Sequence, residues 1–292
     1  PPFWGLEAMR KLAVLFLLLL SAAAAPKRME PVDLELVIAS DNSQSVDQTE
    51  AKLQREGVAN AFRHPDVIRA IQSGTLGKIA VAYIDWSSLP YTRLTVDWHV
   101  IANKAGADAF ADALLKAPPG FGAGTAIGQT LLLAADLIDG NAFEGTQRTI
   151  DISGDGPNNT GIAVYAARDM VTMRGISING LPVVSTGDYG AGEWGAYYGK
   201  LEEYYRNCII GGPRSFLIPA RGFEEFAGAI RRKLVLEISD ARPASKAPFA
   251  GLLMQTAAAL PALPPNPLRP QSPKGGGADV CGADGRTRRF RF

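Results

Sequence analysis

Histidine and cysteine are scarce, with two of each in 292 residues. Two cysteines, Cys208 and Cys281, are too few for a disulfide framework. They allow one bridge at most. A buried free Cys208 is the expectation, with a Cys208–Cys281 bridge as the alternative. The histidines, His64 and His99, do not sit beside a Gly-x-Ser-x-Gly elbow, so a serine hydrolase lacks its base. Net charge is nearly absent, at +1. There is therefore no bulk electrostatic case for nucleic acid or an anionic membrane. A Walker lysine is missing too. The Gly-rich run Gly122-Ala-Gly124-Thr-Ala-Ile-Gly128 follows a helix and Pro118-Pro-Gly120 rather than a strand, which argues against a nucleotide loop.

Long apolar runs are also few. Leu12–Leu20 is unbroken but too short for a transmembrane helix, which needs about 20 residues. It follows Met9-Arg10-Lys11 and precedes Ser21-Ala-Ala-Ala-Ala25. This is the three-part layout of a secretory signal. Residues 1–25 are therefore expected to be upstream sequence plus a signal peptide, with a periplasmic or secreted mature protein beginning near Pro26. Membrane association is expected only if the signal is uncleaved. Hydrophobic residues make up 47% of the chain, enough for a sizeable core.

From Val32 to about Ser239, buried-strand and amphipathic-helix patterns alternate. Strands are predicted at Val32–Ser40, Lys78–Trp86, Tyr91–Ile101, Arg148–Ser153, Ile176–Val184 and Arg214–Ile218. Helices are predicted at Val46–Phe62, Asp66–Ile71, Ala105–Lys116, Ala126–Asp139, Ile162–Met173, Trp194–Asn207 and Phe223–Ile238. The implied class is α/β: a doubly wound, mostly parallel sheet with one antiparallel edge strand and helices on both faces. The domain is bounded at residues 32–240. The Pro/Ala/Gly-rich segment 241–292 is predicted to be a disordered tail.

Three segments carry oxygen donors where this fold would gather them. Asp41-Asn-Ser43-Gln-Ser45 leaves the first strand. Thr125 lies in a Gly-rich loop before a helix. Asp155 follows the fourth strand. Strand ends at a parallel sheet's edge are where such folds bind ligands. Small oxygen donors without sulfur or imidazole suit a hard cation. The competing reading is helix capping by Asp41, Ser43 or Ser45. Asn158-Asn-Thr160 matches a glycosylation sequon, but a cap for the helix at Ile162 is the expected use. Trp194, Tyr197, Tyr198, Tyr204 and Tyr205 are candidates for an aromatic partner patch.

These residues resemble the von Willebrand factor A-like domain and its metal-ion-dependent adhesion site: Asp-x-Ser-x-Ser, then a distant Thr, then a distant Asp. The matching positions are Asp41, Ser43, Ser45, Thr125 and Asp155. More narrowly, the chain is similar to an uncharacterised family of exported bacterial proteins with this domain. The resemblance implies that Ser43 and Ser45 ligate Mg²⁺ or Mn²⁺ directly. It implies that Thr125 binds directly or through water, and that Asp41 and Asp155 often act through water. A partner protein's Asp or Glu carboxylate would complete the sphere. Asn42 and Gln44 depart from common family residues at spacer positions, and Gly154 stands where a Thr or Ser commonly precedes the last Asp. The function implied is a non-enzymatic, metal-dependent binding module. The alternative is a metal-assisted hydrolase of phosphate esters, because Asp41 at a strand end is also where an aspartyl nucleophile sits.

Overall fold

A computed structural model describes residues 29–118, 120–184, 200–240 and 281. The signal segment, the proposed tail apart from Cys281, and Trp194, Tyr197 and Tyr198 lie outside the described residues. No helix among the described residues is long and apolar enough to cross a membrane.

Six strands form one sheet: β1 (Glu30–Asp41), β2 (Ile79–Trp86), β3 (Arg93–Ile101), β4 (Phe143–Gly154), β5 (Ser177–Val184) and β6 (Ala220–Arg221). Their order is β3-β2-β1-β4-β5-β6. β2 runs parallel to β1, with Leu34 opposite Ile79 and Asp41 opposite Trp86. β3 returns antiparallel along β2. β5 is parallel to β4, and β6 to β5. The chain thus builds outward from β1 in one direction and from β4 in the other. The crevice at the carboxyl ends of β1 and β4 is the topological switch point.

The helices are α1 (Gln48–Arg63), α2 (Pro65–Gln72), α3 (Lys104–Lys116), α4 (Ile127–Asp139), α5 (Val164–Met173), α6 (Leu201–Tyr204) and α7 (Phe226–Asp240). Side chains alternate across β1, and each face has its own core. Leu34, Leu36 and Ile38 join Phe62, Phe110, Phe226 and Leu234 on one side. Val37 and Ala39 join Trp86, Leu131, Ile152 and Tyr205 on the other. This two-sided burial explains why the central strands read as continuous apolar runs.

One cluster of charge is enclosed in the α7 layer. Lys233, fully buried, lies 2.7 Å from Asp151 on β4 and 2.5 Å from Glu237 on α7. Asn179 of β5 donates to Glu237 at 2.8 Å. Burial pushes Glu237 up to about 7, Asp151 adds to the shift, and Lys233 opposes it. Burial also raises Asp151.

The sheet differs from the sequence expectation at its far edge. Arg214–Ile218 is not a strand. Arg214 adopts a positive φ of 59°. Only Leu217 makes a bridge, to Gly180. The paired segment is Ala220–Arg221. The predicted helix 194–207 is, in its described part, the single turn of α6 followed by a π-helical turn, Tyr205–Ile209. Tyr204 and Tyr205 are buried, so they belong to the core and not to a surface patch. Cys208 is not free: it is bonded to Cys281, with Cα atoms 5.7 Å apart.

Candidate metal centre

In the loop after β1, helix capping falls to a residue outside the Asp-x-Ser-x-Ser run. The N-cap of α1 is Asp47, which accepts from the Thr49 and Glu50 backbone N–H groups. Glu50 reaches back to the Asp47 N–H, completing a capping box. Asp41, Ser43 and Ser45 are therefore not needed to start the helix.

They are instead linked to one another and to Asp155. Asp41 Oδ1 accepts from the Ser43 N–H at 2.7 Å. The Ser43 and Ser45 hydroxyls are 3.0 Å apart. Ser45 Oγ donates to Asp155 Oδ1 at 2.8 Å, across a sequence separation of 110 residues. The set grades from a buried floor, Asp41 and Ser43, to an exposed rim at Ser45. Asp41 Oδ2 is buried without a hydrogen-bond partner. Burial, and then the charge of Asp155, push Asp41 well above the usual carboxylate range. Burial raises Asp155 as well. Two carboxylates this close, one with an unpaired buried oxygen, are stabilised in their ionised forms by a cation. The donors present therefore fit a hard divalent ion.

Thr125 stands in the adjoining loop. That loop is anchored to the first by the Gly122 N–H donating to Asn42 O at 3.2 Å. Gly124 takes the left-handed conformation that the turn into Thr125 requires, with φ 81°. Thr125 makes no hydrogen bond with Asp41, Ser43, Ser45 or Asp155. It is held by Asn159 instead. Its N–H donates to Asn159 Oδ1 at 2.8 Å, its hydroxyl accepts from Asn159 Nδ2 at 3.3 Å, and its carbonyl accepts the Asn159 N–H at 2.9 Å.

The sequence reading did not anticipate these asparagines as loop ties. Asn158 accepts from the Gly128 N–H at 3.0 Å and donates to the Ile162 carbonyl at 3.2 Å. It caps α4, whose own N-cap, Ala126, has no side chain for the task. It does not cap the helix near Ile162, which was the expectation. The sequence signal was the Asn-Asn pair directly after the Asp155 loop, but its target was a helix distant in sequence.

A second support lies under Asn42. Its amide donates to Asp85 at 2.5 Å, and Arg55 of α1 meets the same carboxylate at 2.7 Å. Gln54, one residue earlier, donates to the Asp41 carbonyl at 3.0 Å. These contacts tie α1 to the ends of β1 and β2. The histidines are structural. His64 caps α2 through Asp66 N, and His99 bonds its Nδ1 to the Asp97 carbonyl.

Several solved structures resemble this chain in fold. The pilus adhesin SpaC of Lactobacillus rhamnosus GG has 16% identity and a TM-score of 0.52, over 73% of this chain and 30% of the adhesin. A von Willebrand factor type A protein of Catenulispora acidiphila has 14% identity and a TM-score of 0.47, over 72% of this chain and 43% of that one. Proximal thread matrix protein 1 of the mussel byssus, with a zinc-occupied MIDAS motif, has 11% identity and a TM-score of 0.46, over 73% and 48%. The chain spans less than half the length of each. Identities this low speak to fold alone, and the fold is α/β of the von Willebrand factor A-like kind. No curated protein matches the chain. A family model does match, over residues 31–242, a span that holds all of the sheet but its first residue, Glu30, and all five oxygen donors. The chain belongs to the family described as "Protein of unknown function (DUF1194)".

Proposed function

We propose that this chain is an exported, divalent-cation-dependent binding module that captures a carboxylate of a partner protein. The observation that carries the reading is the unpartnered, buried Oδ2 of Asp41. It belongs to the hydroxyl and carboxylate chain that runs through Ser43 and Ser45 to Asp155. Ser43 and Ser45 would supply neutral oxygens to Mg²⁺ or Mn²⁺. Asp41 and Asp155 would balance its charge, and Thr125 would add a further hydroxyl from the loop held by Asn159. The cation supplies an electrophilic position that an incoming carboxylate can fill.

This chain's own residues hold that position ready. Asp41 is fixed by the Ser43 N–H below it, and Ser45 is aligned by Asp155. The exposed rim at Ser45 leaves the partner an open approach. The adhesin likeness supports the binding reading by analogy of fold, and the signal layout supports an exported location.

Calorimetric titration of Mg²⁺ and Mn²⁺ into the wild-type chain and Asp41→Ala tests the reading. The wild type takes up one ion, and the variant binds none while keeping its circular dichroism. Equal binding by both proteins would refute the assignment. A pull-down from the exported proteome that depends on Mg²⁺ and reverses with EDTA would then identify the partner.

A further inference from the structure

Three polar atoms of fully buried side chains lie beneath the candidate centre without hydrogen-bond partners among the described residues: Asp41 Oδ2, Tyr205 Oη and Trp86 Nε1. Asp41 Oδ2, the Tyr205 hydroxyl and the Trp86 ring converge on Gly154. A Cβ on that residue would stand 2.8 Å from Asp41 Oδ2, 2.9 Å from the Tyr205 hydroxyl and 3.0 Å from the Trp86 ring. Glycine at this place leaves room for the phenol and the Asp41 carboxylate against the same stretch of backbone.

Tyr205 opens the π-helical turn Tyr205–Ile209, and its neighbour Tyr204 reaches the other side of the same loop. The Tyr204 hydroxyl accepts the Asn158 N–H at 3.2 Å. Two consecutive tyrosines thus brace the Asp155 loop, one before it at Gly154 and one after it at Asn158. Asn159 carries the brace onward to Thr125. Cys208, fully buried in this turn, is bonded to Cys281. The turn is therefore tied covalently to a point 73 residues further along the chain.

We propose that Tyr205 is a positioning residue for the metal centre, its hydroxyl sharing the space over Gly154 with the buried oxygen of Asp41, and that the Cys208–Cys281 bridge fixes the turn that carries it. The proposal rests on the metal reading above. A packing role alone predicts something different. The Tyr205 ring also lies against Gly180, where a Cβ would meet its Cδ1 at 2.8 Å. Tyr205→Phe keeps that ring and removes only the oxygen. Deleting an unpartnered buried hydroxyl leaves fold stability unchanged or slightly higher.

The test uses the full, oxidised chain and Mn²⁺ alone, with three measurements: calorimetric affinity, the paramagnetic-resonance line shape of the bound ion, and the urea unfolding midpoint in EDTA. Tyr205→Phe is expected to weaken Mn²⁺ binding about tenfold and to alter the line shape, with the midpoint in EDTA held or raised. Cys281→Ser leaves the Cys208 thiol in its buried place and is expected to weaken binding severalfold. Affinities within twofold of wild type in both variants would overturn the proposal. So would a Tyr205→Phe protein whose stability in EDTA falls in step with affinity while the line shape stays the same. If only Cys281→Ser retains wild-type affinity, the bridge has no part in the brace. If the wild-type chain takes up no Mn²⁺, the metal reading falls, and this inference with it.

Discussion

Replacing Glu237 with Gln isolates the electrostatic consequence of burying Lys233, Asp151 and Glu237 together. Glu237 is pushed from 4.5 to about 7, mainly by burial and then by Asp151. Between those values the folded protein holds a proton that the unfolded chain has released. Stability therefore falls as pH rises through this window, and is fully present below it. At about 1.4 kcal/mol per pH unit, the difference amounts to about 3 kcal/mol at the upper end. Glutamine is neutral throughout and keeps an acceptor for Lys233 and Asn179, so Glu237→Gln should equal wild type near pH 4.5. By pH 8 it should be more stable by up to about 3 kcal/mol. Urea unfolding followed by tryptophan fluorescence, in EDTA across pH 4.5–8, measures the difference. The raised carboxyls of Asp41 and Asp155 are common to both proteins and cancel. A variant that is less stable than wild type at every pH would refute the reasoning. So would a wild type that gains on the variant as pH rises.

Arg55→Met removes the cation 2.7 Å from buried Asp85 and leaves that carboxylate with Asn42, Thr95 and the more distant Arg93. A loss of about 2–3 kcal/mol is expected in chemical denaturation, at the low end for breaking a buried pair because other donors remain. Asn158→Ala removes the cap from α4 and the bond to Ile162. The expected cost is about 1 kcal/mol, read as a lowered thermal midpoint, and Asn158→Asp should recover part of it by restoring the acceptor.

The core elements were legible because their signals are local and strong. β1 is buried from Leu34 to Ala39, and helix Ile127–Asp139 shows a full apolar stripe. The placement of Asp41 and Asp155 at strand ends, and of Thr125 after a glycine turn, was legible for a similar reason. What escaped the sequence depends on long-range partners. Lys233 and Glu237, four residues apart on α7, have the spacing of a surface ion pair, yet both are buried because Asp151 and Asn179 face them from the sheet. Phe216-Leu-Ile218 is apolar enough for a strand, but after the positive φ at Arg214 it makes only the single Leu217–Gly180 bridge, and a paired strand forms only at Ala220. Cys281 lies far from Cys208 in sequence, in a segment with no pattern to dock it, so no local feature announced the bridge. Asn159 resembled an ordinary loop residue until the fold brought Thr125 beside it.

That last contact joins two loops at three points: the amide, hydroxyl and carbonyl of Thr125 all bond to one residue. Neither loop can open alone without breaking several of these bonds at once. The two loops therefore share one clock. Their amide protons should exchange with solvent at a common rate, and any residence time the centre imposes on a ligand is set by a single cooperative opening, not by the faster of two independent ones.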